Sequence, residues 1–194
     1  MRIIGVTGGV GSGKSRVLQI LEESWGAHVI RADEVAHRLM EPGEEAYCRV
    51  LEEFGDSVLG TEGSLDKAKL SNLIFGDCEA RRRMDSIVHP LVWKAIEDEL
   101  QGCAAGLAVV ESAIPEKKLG DICDELWYVY TSRENRILRL SANRGYSEEK
   151  SVSIMESQAS DESFRQMCDH VIDNNGDLRD TEQQLAELLK IKER

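Results

Sequence analysis

One short string near the start of the chain constrains its fold more than anything else: Gly8-Gly9-Val10-Gly11-Ser12-Gly13-Lys14-Ser15. It fits the pattern G-x-x-x-x-G-K-[ST] in full. It also stands in the context that gives the pattern meaning. The apolar stretch Arg2–Val6 before it predicts a strand, and helical periodicity runs from Lys14 to about Ser24 after it. Glycines let consecutive backbone N–H groups converge on phosphate oxygens without Cβ obstruction. A helix starting near Gly13 aims its positive end at the same point. Lys14 supplies a charge for β- and γ-phosphates, and the Ser15 hydroxyl is a Mg²⁺ ligand of the expected kind. The plain alternative is a glycine-rich turn with a chance lysine, and the strand–loop–helix setting argues against it. The string therefore predicts a nucleoside triphosphate site formed by Gly9, Val10, Gly11, Ser12, Gly13, Lys14 and Ser15.

The rest of the chain reads as strands alternating with helices. Ala27–Ile30 predicts a second strand, Leu107–Val110 a third, Leu126–Thr131 a fourth and His170–Asp173 a fifth. Asp33 occupies an N-cap position for a helix over Glu34–Met40, and Glu41-Pro42-Gly43 ends it. From about Glu44 to Gln101 the pattern is helical, with breaks expected at Gly55–Gly63 and at His89-Pro90, where Pro90 would open a new helix. Leu65, Ala68, Leu73 and Ile74 recur at helical spacing, as do Ile87, Leu91 and Ala95. Thr131 and Glu134 have capping-box spacing for the next helix. Ser147–Cys168 is polar and helical, and a last amphipathic helix carries Leu178, Leu185, Leu188 and Leu189. The expectation is an α/β fold with a parallel sheet covered on both faces. Its core is about 1–32, 104–138 and 168–194, with a helical subdomain over about 33–103 and a lid over about 139–167.

Charge and composition narrow the partners. The 194 residues carry 24 basic and 36 acidic side chains, a formal charge of −12. That field repels nucleic acid as a general partner, although local donors still suit a small phosphorylated ligand. No apolar run approaches a bilayer-crossing length, so no membrane partner is expected. The five cysteines, widely spaced at 48, 78, 103, 123 and 168, suit reduced thiols, small and buried, in a cytoplasmic protein.

Several chemistries use such a loop. A GTPase would carry N-K-x-D, a string this chain lacks. An ATPase motor would have an acid ending an apolar strand, and Glu111 after Val109-Val110 is placed for that. A small-molecule kinase needs a carboxylate near the acceptor hydroxyl and arginines over the transferred group. Asp33, just past the second strand, suits the carboxylate role as well as it suits capping a helix. Arg133, Arg136 and Arg139 share one helix face, and Arg144 stands beside Gly145. They read either as phosphate ligands or as a solvated basic face. A nucleotide-dependent regulator remains a further alternative.

With these residues in view, the sequence resembles the dephospho-coenzyme A kinase family. The matching strings are Ile4–Ser15, Ala32-Asp33, Ile87-Val-His-Pro-Leu91, Arg139-Leu140 with Arg144-Gly-Tyr-Ser147, Gln158, and Asp169-His-Val-Ile-Asp-Asn174. The resemblance implies a three-layer P-loop kinase fold with five parallel strands, a helical coenzyme A subdomain and a lid. It implies ATP and dephospho-coenzyme A as substrates, with Mg²⁺. Asp33 becomes the base for the ribose 3′-hydroxyl and Arg144 the lid arginine, with Arg139 in support. His89 and Glu116 fall on the substrate side, and Asn174 near the adenine. The family's Pro-Leu-Leu-Phe-Glu string is replaced by Ser112-Ala-Ile-Pro-Glu116, and Arg16, whose backbone N–H the resemblance places on the nucleotide, stands where a threonine is usual and its hydroxyl contact is lost.

Overall fold

The computed structural model describes residues 1–114 and 117–190. Five strands form one parallel sheet: β1 (Arg2–Thr7), β2 (His28–Arg31), β3 (Leu107–Glu111), β4 (Glu125–Tyr130) and β5 (His170–Asp173), in spatial order β2-β3-β1-β4-β5. The fold is thus α/β, as expected. β1 lies centrally, with Gly5 in register with both Val110 and Leu126. Helix α1 (Lys14–Trp25) packs Val17, Leu18, Ile20 and Leu21 into a core with Ile4, Val6 and Trp127, and Leu185 of the last helix joins it. A 3.6-residue stripe on α1 therefore seals one face of β1 and fixes the loop between them.

The chain divides into two compact units, Met1–Val29 with Cys103–Arg194, and Ile30–Gly102. The first holds α1, α6 (Lys117–Ile122), α7 (Arg133–Arg144), α8 (Glu148–Glu156), α9 (Asp161–Met167) and α10 (Leu178–Lys190). The second is helical: α2 (Ala32–Leu39), α3 (Glu45–Phe54), α4 (Lys67–Gly76) and α5 (Cys78–Gly102).

Five local expectations are corrected. Pro90 opens no helix but lies inside α5, which runs unbroken for 25 residues. Burial of Ala80, Met84 and Val88 before it, and of Leu91, Val92 and Ile96 after it, holds both halves on one continuous face against the missing N–H. Helix α2 starts at Ala32 with Arg31 as N-cap, so Asp33 sits within its first turn and caps nothing through its side chain. The cap of α7 is Ser132, whose Oγ accepts from the Asn135 N–H, not Thr131. Leu65 is not helical; it pairs with Leu59 in an isolated antiparallel bridge ahead of α4. The polar stretch after α7 is two helices, each started by a serine, Ser147 and Ser160. Cys48 and Cys78 are exposed rather than buried.

Candidate active site

The glycine-rich loop leaves the C-terminal end of the central strand and runs into α1. Gly13 is the N-cap of α1, with φ of 89°, and no side chain caps the helix. The first-turn N–H groups there face the side where an anion would sit. Lys14 Nζ folds back to donate to the Gly8 carbonyl at 2.6 Å and lies 3.6 Å from Glu111 Oε1 at the end of β3. Ser15 is exposed in the first helical turn, next to Arg16. The Ser12 hydroxyl is buried and meets no hydrogen-bond partner among the described residues. An orphaned hydroxyl, a positive helix end and a lysine in one loop are a donor set that fits phosphate and its counter-ion.

The loop's shape is set by side chains from far along the chain. The Ser12 carbonyl accepts from Thr131 Oγ1 at 2.9 Å, Asn174 Nδ2 at 2.8 Å and Arg139 at 3.2 Å. Three donors fix the Ser12 carbonyl, and the planar trans peptide points the next N–H, that of Gly13, the opposite way. Asn174 is buried, and its own Oδ1 accepts from Thr181 of α10 at 3.0 Å. Arg139 donates a further bond to the Asn174 carbonyl at 2.7 Å. A Cβ at Gly13 would press on the Asn174 amide, and one at Gly9 would strike the Arg136 guanidinium, so these two glycines are required by close approach.

Each expected residue can now be placed. Gly9–Arg16, Arg139 and Asn174 lie together, with Arg139 and Asn174 bonded to the loop's backbone. Arg144 is exposed at the last turn of α7, before Gly145 in the left-handed conformation. Of the arginine run, Arg136 and Arg139 reach the loop, whereas Arg133 is exposed, 3.9 Å from Glu156. In the second unit, Asp33 is exposed in the first turn of α2. His89 is half-buried on α5, its Nε2 3.7 Å from Asp85 one turn earlier. Glu116 lies outside the described residues. Thr131 is expected only as a helix cap, Arg136 only as one of a run of arginines and Gln158 only as a matching position; their bonds to the loop span separations that no local pattern reveals.

Burial shifts four side chains of this unit, among them the Tyr128 hydroxyl, whose pKa it raises. It pushes the Cys123 thiol up to about 12 and the Cys168 thiol up to about 11, each helped by the neighbouring aspartate. It also weakens proton binding by Arg136, against which the Asp161 carboxylate and Tyr128 work.

Comparison with known proteins bears on this geometry. The family model for dephospho-CoA kinase matches residues 2–180. The chain is 36% identical over 192 residues to a dephospho-CoA kinase of Carboxydothermus hydrogenoformans, covering 97% of this chain and 93% of that one. It resembles the crystal structure of TT1252 from Thermus thermophilus with a TM-score of 0.83 and 33% identity, covering 98% and 97% of the two chains. It matches the fold of the dephospho-CoA kinase from Campylobacter jejuni with a TM-score of 0.65 and 22% identity, over 97% and 96%.

Proposed function

The chain belongs to the dephospho-CoA kinase family, and from that membership we propose how its residues share the transfer of a phosphoryl group from ATP to dephospho-coenzyme A. The observation that carries the reading is the loop at the end of β1, where Lys14, the uncapped start of α1 and the orphaned Ser12 hydroxyl converge. The triphosphate lies along Gly9–Arg16, and Lys14 follows the charge that shifts toward the β,γ-bridging oxygen. Ser15 would hold Mg²⁺, which when bound draws charge from the β- and γ-phosphates. Arg139 and Asn174 serve the nucleotide by fixing the Ser12 carbonyl.

On the acceptor side, Asp33 takes the proton of the ribose 3′-hydroxyl. That oxygen bonds to the γ-phosphorus as the bond to the bridging oxygen breaks and ADP departs. Arg144 covers the transferring group with its planar fork. His89 and Glu116 position the rest of the acceptor. Exposure of Asp33 and Arg144 supports roles completed by substrate, since neither is committed to the interior. The work asked of these residues is mostly positioning and charge neutralisation. The reading places the enzyme in the cytoplasm, supported by five free thiols; among the described residues no helix is long and apolar enough to cross a membrane.

The test is ADP release from Mg·ATP with and without dephospho-coenzyme A, with Lys14→Ala as control. Strong stimulation by the acceptor, lost in the control and accompanied by a product one phosphate heavier, is the expected result. Release that the acceptor does not alter would move the assignment to another acceptor alcohol or to a nucleotide-dependent regulator.

A further inference from the structure

We propose that Gln158 and Arg136 form a positioning clamp on the Val10 peptide, through which the segment joining α8 to α9 sets how tightly the loop binds nucleotide. The inference rests on the phosphate-binding reading of the loop. Val10 is held from both sides at once. Its N–H donates to Gln158 Oε1 at 2.9 Å, and its carbonyl accepts from Arg136 Nε at 2.8 Å. The two clamping side chains also bond to each other, Arg136 donating to the same Gln158 Oε1 at 3.1 Å. With donor and acceptor of one residue both fixed, the loop cannot rotate at Val10 without breaking an amide hydrogen bond to Gln158 and a charge-assisted one from Arg136. The N–H groups that follow, which must converge on phosphate, inherit that orientation.

The clamp is anchored rather than draped over the surface. Arg136 is buried to 9% side-chain exposure, and Asp161 stands 3.9 Å from its guanidinium. Asp161 is fixed in turn by the Tyr128 hydroxyl of β4, which donates to it at 2.6 Å. Phe164, one turn further along α9, stacks on Tyr128 with ring centroids 4.8 Å apart. Sheet, α9, Gln158 and loop thus form one continuous set of contacts. Helix α8 contrasts with this, since Ser151 is its sole buried residue. In the connection after α8, Gln158 is the side chain hydrogen-bonded to the loop. Gly9 completes the argument, because any Cβ there would occupy the space of the guanidinium.

The experiment is direct titration of each full-length variant with a non-hydrolysable ATP analogue and Mg²⁺, together with kcat, the two KM values and a thermal melt. Gln158→Leu removes the shared acceptor while keeping bulk. It is expected to weaken analogue binding about tenfold, with kcat and the KM for the acceptor within about twofold of wild type. Gln158→Glu keeps the acceptor oxygen opposite Arg136 and is expected to retain wild-type binding. Arg136→Lys keeps the charge but not the fork, and is expected to weaken binding like Gln158→Leu; it serves as the reading if Gln158→Leu does not fold. Wild-type affinity in Gln158→Leu or Arg136→Lys overturns the clamp. So does an equal loss for both substrates, or a Gln158→Glu variant as weak as Gln158→Leu. Because the titration needs no acceptor, a wild-type protein that binds the analogue but leaves dephospho-coenzyme A unmodified would refute the assigned reaction and not the clamp.

Discussion

The sheet-based unit and the helical unit treat their candidate residues differently. In the first, the Ser12 carbonyl is held by Thr131 and Asn174, 119 and 162 residues away, and the Val10 N–H by Gln158, 148 residues away. All of these bonds join chain atoms to chain atoms. In the second, Asp33 is exposed at a helix start, and His89 has Asp85 on its own helix within 3.7 Å. The contrast teaches where each half of the reaction obtains its geometry. The nucleotide end carries its orientation in long-range hydrogen bonds, so binding there spends little on ordering. On the proposed reading the acceptor end presents Asp33 and His89 on helix surfaces, and the acceptor would bring them into register.

The sharpest way to break this contrast is Asp33→Asn. The account predicts a fall in kcat of about 10²–10⁴ with ATP affinity unchanged, read by steady-state kinetics beside a binding titration. An unchanged kcat would remove Asp33 from the chemistry. Pro90→Ala probes the helical unit alone: restoring an N–H within the continuous α5 should raise stability by about 1–3 kcal/mol in urea unfolding, without a change in ATP binding. Asn174→Ala should do the opposite, loosening ATP about tenfold by freeing one of the three donors on Ser12. Equal effects of these two variants on nucleotide binding would erase the distinction between the units.

The smallest effect concerns pH. Burial raises the folded-state pKa of Cys123 to about 12, above its ordinary value of 9.0. The neutral thiol is therefore the form the fold favours, so its contribution is full below about pH 9 and is lost as pH rises toward 12. Stability of the wild type should decline over that window, and Cys123→Ala should flatten the decline. Alkylation at pH 8.5 should modify the exposed Cys48 and Cys78 well before Cys123.

Much of the nucleotide end is legible in the sequence because its signals are local. The glycine string, the start of α1 at Lys14 and the strand His170–Asp173 all follow from short-range pattern and backbone chemistry. Pro90 misleads because its cost is local while the packing that outweighs it, on both sides of α5, is not. Thr131 misleads for a related reason. It has the right spacing to cap α7, yet its hydroxyl is drawn to Ser12 and the adjacent Ser132 caps instead. Arg136 stands in a visible run of arginines, but which member of the run turns inward depends on how α7 docks on the loop. Gln158 is visible in the sequence only as a position matching the family, and nothing local shows its role, since its partners are Val10 and Arg136.

The most direct test of the central claim, that the loop is shaped by its own chain, is amide hydrogen exchange at Val10 and Ser12. Their N–H groups donate to Gln158 and to the Gly9 carbonyl. The account predicts that both amides are protected in nucleotide-free protein and slow only slightly further when Mg·ATP is added. Exchange at the rate of an unstructured loop until nucleotide is supplied would contradict it, and would make the loop's geometry a product of binding.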